Sequence, residues 1–206
     1  MRTILISTVI LFCFVSHFRA QGTKEIKNNQ VEGFYLTIED YRQGKLTRPI
    51  DKLHKGDKIK LKQFFFSPDI ASFEQGKKTV YYKDSIFAIR LSNGENFRFI
   101  NHKPCLIVDT TYLYIYAYNT VKTEYKQSGA TTRRKEIAVT NYYFSTYRHK
   151  NAYALTLINL RKYALDNNAV HLAVCNRFTT DEMLWQVNDK TGQFKLNEVI
   201  LNVVVH

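Results

Sequence analysis

The chain has 206 residues, 45% of them hydrophobic and 14% aromatic, and a formal charge of +12. That is one domain's worth of material with enough apolar surface for a sizeable core, which excludes a disordered chain. Eight scattered glycines, three prolines and the lack of any internal repeat exclude a low-complexity or glycine-rich segment.

The N-terminus reads as a secretory leader. Met1-Arg2-Thr3 is a short positive region, Ile4 to Val15 is apolar apart from Ser7 and Thr8, and Phe18-Arg19-Ala20 places cleavage after Ala20, although Phe18 is larger than the residue usual there. A dozen apolar residues fall short of the roughly 20 that a spanning helix needs. The expected organisation is a signal peptide over 1–20, a loose mature N-terminus over 21–30 and a single α+β domain over 31–206, with no transmembrane span in the mature chain. Losing Arg2 and Arg19 lowers the charge by two, to +10. Such a protein, periplasmic or secreted, is drawn to anionic surfaces such as lipopolysaccharide and acidic glycans, unless its charge serves only solubility.

Gly33 to Leu36 reads as a short extended piece. Thr37 can cap one or two turns of helix from Ile38 to Gln43, with Glu39 and Asp40 at its positive end and Gly44 ending it. Between Arg42 and Lys62 eight basic residues face only Asp51 and Asp57. Within that stretch, Lys58-Ile59-Lys60-Leu61-Lys62 alternates as a strand with one cationic face. That face is either a polyanion contact or a lysine-protected edge.

Phe64-Phe65-Phe66 bends from this strand into the core before a Ser67-Pro68 turn. Strands follow at 70–73, 79–82, 85–91, 95–100, 105–108 and 111–118, joined by short connections, which predicts one antiparallel meander. Asn93-Gly94 suits a type I′ hairpin, with Phe87, Ile89 and Leu91 on one face and Phe97 and Phe99 across from them. Tyr112, Tyr114, Tyr116 and Tyr118 alternate with Leu113, Ile115 and Ala117. The tyrosine row is either a platform for sugar rings or the sheet face beneath the helices.

Residues 119–136 break the pattern and read as a basic loop or hairpin tip carrying Arg133, Arg134 and Lys135. The sheet resumes at 137–147. Beyond Tyr153 the period becomes helical. Asn159 would cap a helix from Leu160 to Leu165, Val170, Val174 and Phe178 form one face of the next, and Thr179 with Glu182 suggests a capping box for a third. Residues 196–205 read as a helix or, from their valines, a closing strand. Strands first and helices last predict an α+β fold, an antiparallel meander with C-terminal helices on one face.

Two cysteines survive leader removal. Cys105 and Cys175 either form a disulfide or stay two separate buried thiols. His102 and His171 lie near them, so a zinc site of His102, Cys105, His171 and Cys175 is conceivable if the pairs meet, although the spacings fit no standard module. No cofactor signature, nucleophile elbow, zinc-protease motif or phosphate loop is present. Asp40, Asp69, Asp84 and Glu95 are scattered acids at turns or strand ends.

Gly33-Phe34-Tyr35-Leu36-Thr37-Ile38-Glu39-Asp40-Tyr41 with Gly44-Lys45, then Tyr82 to Ile86, Ser92-Asn93-Gly94, Phe97-Arg98-Phe99 and Leu155 to Leu160, resembles small exported proteins of Bacteroidota with no established function. The resemblance implies an exported α+β domain and transfers no catalytic residue. Two roles follow. One is a non-enzymatic envelope or extracellular protein binding an anionic glycan, lipopolysaccharide or a protein partner, with no specific nucleic acid. The alternative is a hydrolase of envelope glycan or peptide with unidentified catalytic residues.

Overall fold

A computed structural model describes residues 31–50, 56–60, 67, 69–128, 131–147 and 151–205. The expected leader, the segment 21–30, Lys62, the Phe64–Phe66 bend and Pro68 lie outside the described residues. No helix among the described residues is long and apolar enough to cross a membrane.

The fold is α+β and its strand pairs are all antiparallel. An eight-stranded sheet runs β11-β10-β9-β8-β7-β6-β1-β2, and a three-stranded sheet runs β3-β4-β5. The strands are β1 Glu32–Tyr35, β2 Arg48–Ile50, β3 Lys58–Ile59, β4 Asp69–Glu74, β5 Lys77–Tyr82, β6 Ala88–Arg90, β7 Asn96–Ile100, β8 Lys103–Asp109, β9 Tyr114–Ser128, β10 Thr131–Ser145 and β11 Tyr153–Ala154. The helices are α1 Ile38–Arg42, α2 Leu157–Tyr163, α3 Asn168–Arg177 and α4 Lys195–Val204. The expected single meander is thus split. A 3₁₀ turn at Lys83–Ser85 separates the β4–β5 hairpin from the large sheet, and β1 enters that sheet between β6 and β2.

Register fixes the two faces. Phe34, Ile89, Phe97, Leu106, Ala117 and Tyr142 lie opposite one another in turn across six strands and share one face. At one end that face meets the small sheet through Ile50, Ile59, Ile70 and Ile86. At the other, Leu113, Ile115 and Phe144 pack under Leu160, Val170, Val174, Phe178, Leu196 and Ile200 of the helical layer. The opposite face carries Tyr35, Ala88, Cys105, Tyr114 and Tyr116, and is covered in part by Ile38 and Tyr41 of α1. The tyrosine row therefore lies on the face away from the C-terminal helices, and Tyr112 leaves it to pack with them. Phe87 likewise joins the Tyr35 side rather than Ile89 and Leu91.

The sheet curls toward its tyrosine face. Phe87, just before β6, and Tyr114 on β9 meet at 6.3 Å between ring centroids although two strands lie between them. Tyr41 wedges among Tyr35, Phe87 and Tyr114 at 5.2, 5.5 and 6.1 Å.

Local chemistry explains the helix ends and turns. Thr37 caps α1 in a reciprocal box with Asp40. α2 starts earlier than expected because Thr156, not Asn159, is its cap, accepting from the Asn159 N–H at 3.2 Å, while Asp181 accepts from the Leu157 N–H. Instead of a capping box at Thr179, residues Asp181–Trp185 form a 3₁₀ helix with no side-chain cap. Residues 195–204 are a helix, not a strand. Leu196, Val199, Ile200 and Val203 recur at helical spacing against the core, and that burial overrides the valines' β preference.

At Asn93-Gly94 only Gly94 has positive φ (87°), with Gly94 N–H on Leu91 O and Leu91 N–H on Glu95 O. This is a three-residue loop with a glycine bulge, not a type I′ turn. The two-residue turn with both φ positive lies instead at Asn101 (50°) and His102 (63°), between β7 and β8.

Candidate functional site

Of residues 119–136, read as a basic loop or hairpin tip, the described ones belong to β9 and β10, which pair residue for residue from Tyr114↔Ser145 to Ser128↔Thr131. The pairing of β8 with β9 stops at Ala117, and that of β11 with β10 stops at Tyr143. Beyond those points the two strands form a ribbon of roughly 30 Å at about 3.3 Å per residue. Residues 119–140 carry five basic side chains against Glu124 and Glu136.

The ribbon has two unlike faces. Val121 and Tyr125 are 60% and 70% exposed, with Ala138 and Arg134 opposite them. The other face presents Lys122 opposite Ile137 and Lys135 opposite Glu124. Arg134 pairs with Glu136, and Lys122 lies 3.6 Å from Glu124. Arg134 and Lys135 are thus exposed but on opposite faces, and Arg133 pairs in register with Lys126. Lys58 on β3, the edge of the small sheet, and Lys60 just after it are exposed, with the Lys60 ammonium 5.9 Å from the Phe73 ring.

The cysteine and histidine residues are not brought together. Cys105 and Cys175 are both free thiols. The sheet separates them: Cys105 lies with Tyr114 and Tyr116, whereas α3, which bears Cys175 and His171, packs on the other face through Val170 and Val174. Burial pushes the Cys105 thiol up to about 12. His102 sits in the β7–β8 turn with Nδ1 3.8 Å from Asp84. Of the two alternatives for the cysteines, the arrangement has the separate thiols and no disulfide pair, and no group of three or more metal-binding side chains occurs among the described residues.

The scattered acids are engaged locally. Asp40 completes the α1 box and accepts from Thr47, Ser67 donates to Asp69, Asp84 faces His102, and Glu95 accepts from Asn93. The hydrogen bonds from Thr47 and Thr37 hold the Asp40 carboxyl below its ordinary range.

Two buried cations were not legible in the sequence. Arg98, 6% exposed, donates to the Tyr116 hydroxyl at 2.6 Å and to Ser145 at 2.9 Å, with its guanidinium 4.8 Å from the Phe87 ring. Burial raises the Tyr116 pKa against the opposing pull of Arg98. Lys83, 1% exposed, donates to the His102 carbonyl at 3.1 Å and lies 4.9 Å from the Phe99 ring. Burial lowers its pKa, while the Asp69 charge acts the other way.

An open pocket of about 370 Å³ lies at the mouth of the curled face, lined by Tyr41, Arg42, Arg90, Asn96, Thr110 and Tyr114. Arg42 is held at the surface by Glu39 at 3.3 Å and lies 5.9 Å from the Tyr147 ring. Arg90 stacks 5.2 Å from the Tyr35 ring. The sequence did not signal this pair: a two-residue turn at Asn93-Gly94 would set Arg90 opposite Phe97, and only the three-residue loop sets it opposite Asn96.

These features define an antiparallel α+β protein whose main sheet curls over an arginine-centred aromatic core and extends into a basic two-stranded arm. The chain matches no protein-family model, no curated protein and no solved structure.

Proposed function

We propose that the protein is an exported, non-enzymatic binding module for an anionic glycan, with the β9–β10 ribbon as its contact surface. The ribbon carries this reading: a projecting, solvated element with cations on both faces and an exposed tyrosine matches what an acidic polysaccharide offers, namely repeated negative charge and flat sugar faces. The exposed Lys58 and Lys60 add to the basic surface. Export is supported by the leader-like residues 1–20, and an envelope or extracellular location would place the arm among lipopolysaccharide and acidic polymers.

The test is binding of the purified protein to lipopolysaccharide and to polygalacturonate across a salt series. Affinity should fall by about tenfold or more between about 0.05 and 0.5 M salt, because exposed charges are screened over that range. The double variant Lys122→Glu with Lys135→Glu should bind at least about tenfold more weakly at low salt. Equal binding to neutral dextran, or affinity indifferent to salt, overturns the proposal.

A further inference from the structure

The pocket between α1, β6, β7 and β9 combines three properties. Among the described residues that line it none is acidic, and Arg42 and Arg90 give it a positive lining, although Arg42 shares its charge with Glu39 at 3.3 Å. Two of its lining residues carry a buried polar atom without a fully formed hydrogen bond: the Arg90 Nε donor, whose side chain has the equally unmet Tyr35 hydroxyl within reach, and the Asn96 Oδ1 acceptor. These residues are direct partners across the β6–β7 pair, so the unmet donor and the unmet acceptor belong to neighbouring side chains in one wall. Asn96 is oriented by its own amide, which donates to the Gly94 carbonyl at 3.2 Å and leaves Oδ1 as the unpaired group.

Buried polar atoms without partners are rare, and when two of opposite kind line one pocket they define the ligand that would satisfy both. It must carry an anionic acceptor for guanidinium and a hydroxyl donor for the amide oxygen. Planar carboxylate suits the guanidinium fork, which can offer two parallel N–H donors. Tyr41 and Tyr114 supply an aromatic wall, the side-chain type on which sugar rings rest. Both unmet atoms are closed off from solvent, so a ligand engages them only when the guanidinium turns and Asn96 gives up its bond to Gly94.

We propose that this pocket binds a monomeric hydroxylated carboxylate of the uronic-acid class, with Arg90 and Arg42 taking the carboxylate and Asn96 a neighbouring hydroxyl. The site is separate from the ribbon and does not depend on the ribbon's role.

The experiment is a titration of the full protein with D-glucuronate, followed by backbone amide NMR shifts of residues 88–98 and by calorimetry. D-glucose and inorganic phosphate serve as comparison probes. Saturable millimolar or tighter binding of glucuronate is expected, with glucose and phosphate at least about tenfold weaker. Arg90→Gln should abolish binding. Asn96→Asp, which keeps the side chain's shape and places a carboxylate beside Arg90, should weaken it at least about tenfold and decides the matter if Arg90→Gln fails to fold. Lys122→Glu with Lys135→Glu should leave glucuronate binding unchanged, which separates this site from the ribbon. The proposal is overturned if millimolar glucuronate does not bind, if glucose or phosphate binds equally well, if Asn96→Asp binds like the wild type, or if the ribbon variant abolishes binding.

Discussion

Asn197 ties the C-terminal helix to the sheet across 84 residues of sequence, and replacing it should cost more than most single changes in this chain. Its side chain is fully buried, accepting from the Leu113 N–H at 2.9 Å and donating to the Leu113 carbonyl at 3.0 Å. Asn197→Leu keeps the volume and removes both bonds, leaving a donor and an acceptor of one peptide segment buried. Each such group costs about 1–3 kcal/mol, so the variant should lose about 2–6 kcal/mol. That is a large part of the roughly 5–15 kcal/mol typical of a domain. Urea unfolding followed by tryptophan fluorescence reports the change, since Trp185 packs in the same cluster. Asn197→Asp supplies the control. Its protonated form can still donate to the Leu113 carbonyl, whereas its ionised form is a buried charge, so the folded-state pKa is raised. Stability would be retained below the unfolded-state pKa and lost as pH rises through the folded one. A loss under about 1 kcal/mol for Asn197→Leu, within the range of an ordinary exposed substitution, would refute this account of the joint.

Gly33→Ala should destabilise by about 1–3 kcal/mol, because the new Cβ would lie 2.5 Å from the Arg48 carbonyl and 3.0 Å from the Pro49 Cα, both backbone atoms of β2; thermal melts would show it. Iodoacetamide should modify half-buried Cys175 in the native protein and leave Cys105 untouched until denaturant is added, since the Cys105 thiol is buried with a pKa of about 12; mass spectrometry counts the adducts, and equal native rates would contradict this placement. Thr47→Val should raise the Asp40 pKa toward its ordinary value of 3.8, readable by carboxyl NMR. In the wild type the Asp40 contribution is present above that value and disappears as pH falls through the depressed folded one, so the variant's stability deficit should narrow in acid.

What the sequence made legible was chemistry decided within a few residues. Thr37 and Asp40 lie three apart and specify their box by themselves, and Val170, Val174 and Phe178 bury as their spacing implied. Asn93-Gly94 announced a hairpin, but turn type depends on how the flanking strands pair, and here a bulged loop fits the Ile89↔Phe97 register. The long ribbon escaped notice because neither of its faces is buried, so no apolar alternation marks it. Arg98 between two phenylalanines has the spacing of a solvent-facing residue on an amphipathic strand. Only the curl of the sheet, bringing Tyr116 and Ser145 over it, makes it internal. The cysteines shared a chain but not a side of the sheet, and the pocket draws on segments around residues 41, 90, 96 and 114, a convergence that spacing along the chain does not encode.

Among the described residues, no neighbouring strand pairs with the two long rows of backbone amides and carbonyls along the ribbon's outer sides. Such rows invite another copy to zip onto them, and repulsion between like-charged arms opposes that pairing. Whatever neutralises those cations, concentrated salt or a captured polyanion alike, would lower this barrier to strand-by-strand self-association.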